Sequence, residues 1–228
     1  MGNACSEDNS QKDNEIGMMS GKRIAKGRIF GESFLQEVNT MRRNPAAYAR
    51  KIEDMYTKKF SADTHTPSGI KYIEGQYAFA EVENFLRMQP ALPELMIQGG
   101  LVASSYDQAI FVAQTKMLSS VGRGGSHLME RINQYGILQS DKVGEASIIV
   151  KTSDPSNVVI ELLADDGVVD RRNRYALLDP KYRFLGCCMV KDNTGDFYIV
   201  IDLAEEYRTD PSKATEDILI KAELAGSM

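Results

Sequence analysis

The chain has 228 residues, of which 43% are hydrophobic and 26% charged, and its formal net charge at pH 7 is −5. This composition is ordinary for a soluble globular protein, and the length suits one large domain or two small ones. The 27 basic residues are mixed with 32 acidic ones, so no nucleic-acid-binding surface is predicted. No apolar run approaches the roughly 20 residues that span a bilayer. The polar start of the chain is not typical of a secretory signal.

The cysteines and histidines form neither a disulfide pattern nor a zinc pattern. Cys187 and Cys188 are neighbours, whose side chains would point to opposite sides of a strand, and Cys5 is far from both. Three thiols without a disulfide framework are typical of a reducing compartment. His65 and His127 are far apart in the sequence, so a zinc site of His and Cys is not predicted.

The first six residues, Met-Gly-Asn-Ala-Cys-Ser, match the N-myristoylation pattern, with Gly2 exposed after removal of Met1 and Ser6 in the required place. Cys5 is close enough to be a second acylation site, for palmitate. One myristoyl chain binds membranes only marginally, and a second chain makes the anchor stable. We therefore expect residues 1–25 to be a polar segment that carries an acylation motif.

Helical spacing of apolar residues, together with caps, predicts a series of helices. In chain order these are two helices over 30–60, one over 76–88, a long one over 94–118 that breaks near Gly99-Gly100, one over His127–Tyr135 capped by Ser126, one from Asp154 to about Ala164, and a short one over Ala214–Ala225. The second helix has Asn44 as a good N-cap and Pro45 at its first position. Residues 61–75, which contain His65, are expected to form a loop.

Three strands are predicted in the second half of the chain: Lys142–Lys151, Phe184–Lys191 and Phe197–Leu203. The last two are joined by Asp192-Asn193-Thr194-Gly195, which is a hairpin signal. Helices followed by a strand, a helix and a hairpin predict helices packed on both faces of a small antiparallel sheet.

Four passages of the chain occur together in one known domain. They are Phe34 to Asn39 with Arg42 and Asn44-Pro45; Leu95 to Ala113; Arg131-Ile132 and Tyr135-Gly136 ahead of Val143-Gly144-Glu145; and Asp165-Asp166-Gly167 with Arg174, Leu177 to Pro180 and Leu185-Gly186. In this order they resemble the CAP superfamily, also called SCP-like (cysteine-rich secretory proteins, antigen 5, plant pathogenesis-related 1), over about residues 32–204. The chain is similar to the intracellular type, which lacks a secretory signal.

The resemblance implies an α+β fold, a three-layer α-β-α sandwich with a small, mainly antiparallel sheet. We expect this CAP/SCP-like domain over residues 26–207, preceded by the polar segment 1–25 and followed by a polar tail, 208–228, with the short helix.

The cleft of this family often holds two histidines and two acidic residues, which can bind a divalent metal such as zinc. The resemblance places the acids on Glu145 and on Asp165, with Asp166 as the alternative register, and the histidines on Ser120 and Asn173. Zinc favours imidazole and thiolate ligands in fixed geometry, and neither predicted histidine position holds one, so the sequence predicts a vestigial cleft without a metal or other cofactor. Its acids would hold a hard ion only weakly, or form a hydrogen-bonded polar cluster.

Enzymatic activity is not predicted, because hydrolysis would need a base beside a nucleophile. Ser120 with Glu145 lacks a histidine to transfer the proton. Cys187 and Cys188 lie in an apolar strand, where nothing nearby would lower a thiol pKa.

Three functions stay open at this stage. The first is a non-catalytic CAP module, anchored by acyl chains to the cytoplasmic face of a membrane, that binds lipid or protein partners; this is similar to the lipid-anchored, Golgi-associated branch of the family. The second is a structural component of a large cytoskeletal or ciliary assembly, in which residues 1–25 and 208–228 become ordered only against a partner. The third is a degenerate metal-binding or hydrolase-like protein. A homodimer and membership of a larger assembly both stay open, and no nucleic-acid partner is predicted.

Overall fold

A four-stranded sheet lies between two layers of helices in the computed structural model, which describes residues 30–57 and 71–227. The helices are α1 (30–43), α2 (Pro45–Met55), α3 (Gln76–Met88), α4 (Gly99–Thr115), α5 (Leu128–Tyr135), α6 (Pro155–Ala164), α7 (Arg172–Leu178) and α8 (Glu216–Leu224). The strands are β1 (Met96–Ile97), β2 (Gly136–Leu138), β3 (Val143–Val150), β4 (Phe184–Lys191), β5 (Phe197–Ala204) and β6 (Tyr207–Thr209). The predicted acylation sites Gly2 and Cys5, and His65, lie outside the described residues.

The sheet has the strand order β1-β4-β5-β3. β5 pairs antiparallel with both neighbours along its whole length, whereas β1 pairs parallel with β4 only through Met96 with Phe184 and Ile97 with Leu185. A separate two-stranded ribbon joins β2 and β6. The predicted α+β sandwich with a mainly antiparallel sheet is confirmed.

The two faces of the sheet bury different helices because strand side chains alternate between faces. On one face, Cys187, Ile199 and Ile201 pack in a core shared with α1, α2, α3, α6 and α7. On the other, Cys188 and Val200 pack against α4 and α8. The prediction that Cys187 and Cys188 point to opposite sides of a strand is confirmed, and both thiols are free and buried.

Local signals set the start of two helices as predicted. The Asn44 side chain accepts a hydrogen bond from the Ala47 N–H at 3.1 Å, and Pro45 is the first residue of α2. Asp154 likewise caps α6 by accepting from the Asn157 N–H at 3.0 Å.

Arg42 ties α1 to the segments that lead into the cleft region. Its side chain is fully buried and donates to the carbonyls of Pro93 and Leu177, both at 2.7 Å, and of Asp179 at 3.2 Å. Burial lowers the pKa of Arg42 to about 10. This residue belongs to the passages that carry the family resemblance, and its role is to join them.

The predicted long helix over 94–118 is wrong at both ends. Its first residues form β1 instead, because the Met96 N–H donates to the Arg183 carbonyl at 2.9 Å and the Gln98 N–H to the Leu185 carbonyl at 3.0 Å. The helix therefore begins at Gly99 and ends at Thr115, after which Lys116 adopts a left-handed conformation with φ of 56°.

The predicted cap of α5 is wrong by one residue. The N-cap is His127 rather than Ser126, and the His127 N–H donates to the Glu130 carboxylate at 2.7 Å. The predicted end of this helix at Gly136 is confirmed.

Residues 208–227, expected as a polar tail, pack against the sandwich. β6 includes Arg208 and Thr209, which pair with Ile137 and Gly136 of β2. α8 buries Ala222 against the sheet face that α4 covers. The expectation that this end becomes ordered only against a partner is therefore wrong for its described part.

Among the described residues, no helix has both the length and the apolar character needed to cross a bilayer.

Candidate functional site

An open cleft of about 810 Å³ lies between the segment after α4, the start of β3 and the segment that joins α6 to α7. Ser120, Glu145 and Asn173, three of the five residues predicted for the cleft, line it. Asp165 is buried behind Asn173, and Asp166 points away toward the segment before α3. The cleft thus brings together residues from distant parts of the sequence.

Asn173 and Asp165 form the inner wall of the cleft through paired hydrogen bonds. Asp165 accepts from the backbone N–H of Asn173 and from its side-chain amide, both at 2.8 Å. The Asn173 side-chain oxygen accepts from the Ser147 N–H of β3 at 3.0 Å. Burial raises the pKa of Asp165, while the bonds from Asn173 act in the opposite direction. The pair behaves as the hydrogen-bonded polar cluster that the sequence had left as one alternative.

Asp166 has a separate, structural role. Its carboxylate accepts from the backbone N–H groups of Ile73, Glu74 and Gly75, the last two at 2.8 and 2.9 Å. Asp165 is the acid that contacts Asn173. It ends α6 in the left-handed region, with φ of 50°. Of the two acids that the sequence left open, Asp165 is the one beside the cleft lining and Asp166 faces away from it.

Two arginines hold this wall in place from outside. Arg171 pairs with Glu74 at 2.6 Å and with Glu81 at 2.7 Å, and Arg174 pairs with Glu81 at 2.5 Å. Arg174 also donates to the Leu163 carbonyl of α6 at 2.6 Å. Hydrogen bonds from Arg171 lower the pKa of Glu74 to about 2. The network clamps α3 onto the segment that carries Asp165 and Asn173.

Glu145, the acid on β3, forms a buried ion pair with Arg131 of α5. The two side chains are only 10% and 3% exposed, and Arg131 also donates to the Ser126 carbonyl at 3.0 Å. The Ser120 carbonyl accepts from the same guanidinium at 3.4 Å. Burial raises the pKa of Glu145, and the charge of Arg131 opposes that rise.

A buried polar cluster behind Glu145 was missed by sequence reasoning. Asp202 of β5 lies directly across from Glu145 in the sheet and is fully buried beside Ser104 of α4. Within the described chain, neither Asp202 oxygen completes a hydrogen bond, nor do Ser104 Oγ, Gln108 Oε1 and Arg131 Nε. Burial, followed by the charge of Glu145, raises the pKa of Asp202 well above its usual range. A lone aspartate in the apolar run Phe197–Ala204 was the available signal.

The rim of the cleft carries exposed apolar side chains. Val169, in the segment between α6 and α7, is 98% exposed, and Leu118, in the segment after α4, is 47% exposed. Met117 beside it is 67% exposed. Exposed large apolar side chains beside a cleft are a feature of binding sites for protein or lipid.

The donor set of the cleft does not fit the metal that the family resemblance implies. Asn173 already donates its amide to Asp165, and Glu145 is taken up by Arg131. Within residues 30–57 and 71–227, no group of three or more His, Cys, Asp or Glu side chains is arranged to hold a metal ion. Zinc sites are built mainly from nitrogen and sulfur ligands in fixed geometry, and His127 lies at the start of α5 as its N-cap.

A scan of protein-family models gave no match, and a search of curated proteins gave no significant match. Among solved structures, an outer surface protein of Borrelia burgdorferi is 18% identical with a TM-score of 0.42, covering 50% of this chain and 80% of that one. An extracellular protein containing an SCP domain from Bacillus anthracis is 16% identical with a TM-score of 0.39, over 50% of this chain and 35% of that one.

Venom allergen-like protein 4 of Schistosoma mansoni is 15% identical with a TM-score of 0.37, covering 76% of this chain and 97% of that one. The chain spans only about a third of the Bacillus protein, which contains the domain that the sequence resembles. All three TM-scores are below 0.5, so the α-β-α sandwich is assigned from the elements and strand order of this chain.

Proposed function

We propose that this chain, a CAP/SCP-like α-β-α sandwich, is a non-catalytic binding module held on the cytoplasmic face of a membrane by acyl chains on Gly2 and Cys5. It acts by binding lipid or protein partners at the rim of its cleft. The proposal separates two roles, because the N-terminal segment supplies the membrane anchor and the cleft region supplies the binding surface.

The observation that carries this proposal is that the acids at the cleft are paired with other side chains, while exposed apolar side chains stand at its mouth beside the exposed pair Asp170 and Arg172. Glu145 pairs with Arg131, and Asn173 with Asp165. General base catalysis needs a group that can reach a substrate proton, and these carboxylates are instead engaged and largely buried. Val169, with 98% of its side chain exposed, lies at the mouth of the same cleft.

The anchor is supported by the sequence of residues 1–6, which lie outside the described residues. Gly2 and Ser6 occupy the positions that N-myristoylation requires, and Cys5 supplies a site for a second chain. A two-chain anchor is the combination that gives stable membrane attachment.

Gly2→Ala is expected to move the protein from the membrane fraction to the soluble fraction of its native cells, since N-myristoylation requires glycine at position 2. Asn3→Ala is the matched control, because it changes an unspecified position of the motif and keeps Gly2 and Ser6. The measurement is fractionation with quantitative immunoblotting, together with the intact mass of the native protein, which reports removal of Met1, myristate and palmitate at once.

A Gly2→Ala protein that stays as membrane-bound as the wild type would refute the anchor. Retention of both proteins in a detergent-insoluble pellet would instead favour the alternative, a structural component of a cytoskeletal or ciliary assembly. Residues 208–227 pack against the rest of the domain, so the C-terminal segment does not support that alternative.

Zinc or calcium binding with a dissociation constant below about 1 μM by calorimetry would support the degenerate metal site.

A further inference from the structure

A second pocket, of about 320 Å³, lies at the opposite edge of the sheet from the cleft. Most of its lining is apolar: Phe30, Ile97, Val102, Met189, Leu219 and Ala222. These residues come from the start of α1, the β1–β4 edge, α4 and α8, so the pocket is a junction of elements on both sides of the sheet.

The pocket exists because β4 has a partner strand along only part of its outer edge. β1 pairs with Phe184 and Leu185 and then ends. Beyond this point the turn Ala225–Ser227 lies beside the strand, with Gly226 next to Met189. At such an edge, side chains from both faces reach the same space, which is why the two successive residues Cys187 and Cys188 both line the pocket.

The chain outside the described residues begins at the wall of this pocket. Phe30, the first described residue, lines it, and Gly2 lies 28 positions earlier. A segment of that length can reach roughly 90 Å when extended, so it is long enough for Gly2 to reach the pocket.

Charge on the lining selects among apolar ligands. Glu32 is part of the wall, and its carboxylate disfavours the head group of a free fatty acid or an anionic lipid. An acyl chain in amide linkage to Gly2 carries no charge. The volume is at the low end of ligand pockets, which start at about 300 Å³, and this suits a thin, unbranched chain.

We propose that this pocket receives the myristoyl chain on Gly2 and withholds it from the membrane. The inference rests on the acylation in the proposed function and adds its regulation. Docking and membrane insertion compete for one chain, so anything that fills or distorts the pocket increases membrane binding.

The test uses the full chain, made with and without myristate by co-expression with an N-myristoyltransferase, and vesicles of phosphatidylcholine alone. Val102→Phe fills the pocket, and Ile110→Phe, on the same helix but outside the pocket, is the matched control. If the pocket holds the chain about nine-tenths of the time, filling it raises vesicle partitioning about tenfold, while the control matches the wild type. Myristoylation should also raise the melting temperature of the wild type by about 2–4 °C, but not that of Val102→Phe.

Leu219→Asp, which places a charge in the pocket from the half-buried face of α8, is the second variant if Val102→Phe does not fold. Equal partitioning and equal melting shifts in the wild type and a folded pocket variant would overturn the proposal. The same melting shift from free myristate added to the unacylated protein would also overturn it, since the site would then take free fatty acid. The acylation itself is tested by the mass of the native protein. An unmodified Gly2 would refute the proposed membrane anchor, but it would not change the vesicle partitioning or melting shifts measured on protein that was acylated by co-expression.

Discussion

Arg131→Met is expected to lower the free energy of unfolding by about 3–5 kcal/mol, because it leaves buried carboxylates without their cation. The Arg131 side chain is 3% exposed and pairs with Glu145, and Asp202 lies across the sheet from that pair. Methionine keeps much of the apolar stem and removes the charge. The measurement is urea denaturation at neutral pH.

Arg43→Met is the matched control for Arg131→Met. Arg43 is 61% exposed and pairs at 3.4 Å with Glu94 on the surface, so its loss should change stability by no more than about 0.5 kcal/mol. Equal effects of the two substitutions would contradict the importance of the buried pair.

Asp202→Asn acts on the same cluster, and is expected to stabilise the protein at neutral pH, because an amide carries no charge to bury beside Glu145. The pKa of Asp202 is raised in the folded state, so the folded protein holds this proton more tightly than the unfolded chain. The wild type therefore loses stability as the pH rises from the ordinary aspartate pKa through the raised one. The advantage of Asp202→Asn should grow over that interval and then level off; an advantage that shrinks as the pH rises would contradict the assignment.

Gly186→Ala is expected to destabilise the protein by about 2 kcal/mol or more, because a side chain there would enter the backbone of α4. The added Cβ would overlap the Leu101 carbonyl carbon and the Val102 nitrogen, neither of which can rotate away. Gly186 thus sets how closely α4 approaches β4, and it belongs to the passages that carry the family resemblance.

Gly31→Ala is the control for Gly186→Ala, since no atom lies within 4 Å of a Cβ added in the first described turn of α1. It should be neutral or slightly stabilising, as alanine favours helix over glycine. Thermal unfolding of both variants distinguishes a steric cost from a general effect of replacing glycine. A neutral Gly186→Ala would mean that α4 can move off the sheet without loss.

Elements with strong local signals were predictable from the sequence. Asp154 followed by Pro155 indicated the start of α6, and the two apolar runs around Asp192–Gly195 indicated the β4–β5 hairpin, which the structure confirms. These signals act over a few residues and need no knowledge of the rest of the chain.

The prediction failed where distant residues decide the structure. β1 contains two residues, and it forms only because the edge of β4 offers backbone partners to Met96 and Gln98. Spacing alone could not choose between Asp165 and Asp166, since the choice depends on the left-handed turn at Asp165. The burial of Asp202 depends on α4 and α5, which precede it by a large part of the chain.

Cys187 and Cys188 occupy consecutive positions, yet their thiols belong to the two separate cores on either side of the sheet. Burial raises the pKa of both thiols, and only the thiolate reacts readily with an alkylating reagent. Alkylation at either position therefore requires that a reagent enter the pocket that both residues line, or that the helices covering that face open. The third cysteine, Cys5, can be removed as Cys5→Ser. In a variant whose pocket is filled, such as Val102→Phe, the ratio of the alkylation rates at Cys187 and Cys188 would then report which helical layer separates from the sheet more often.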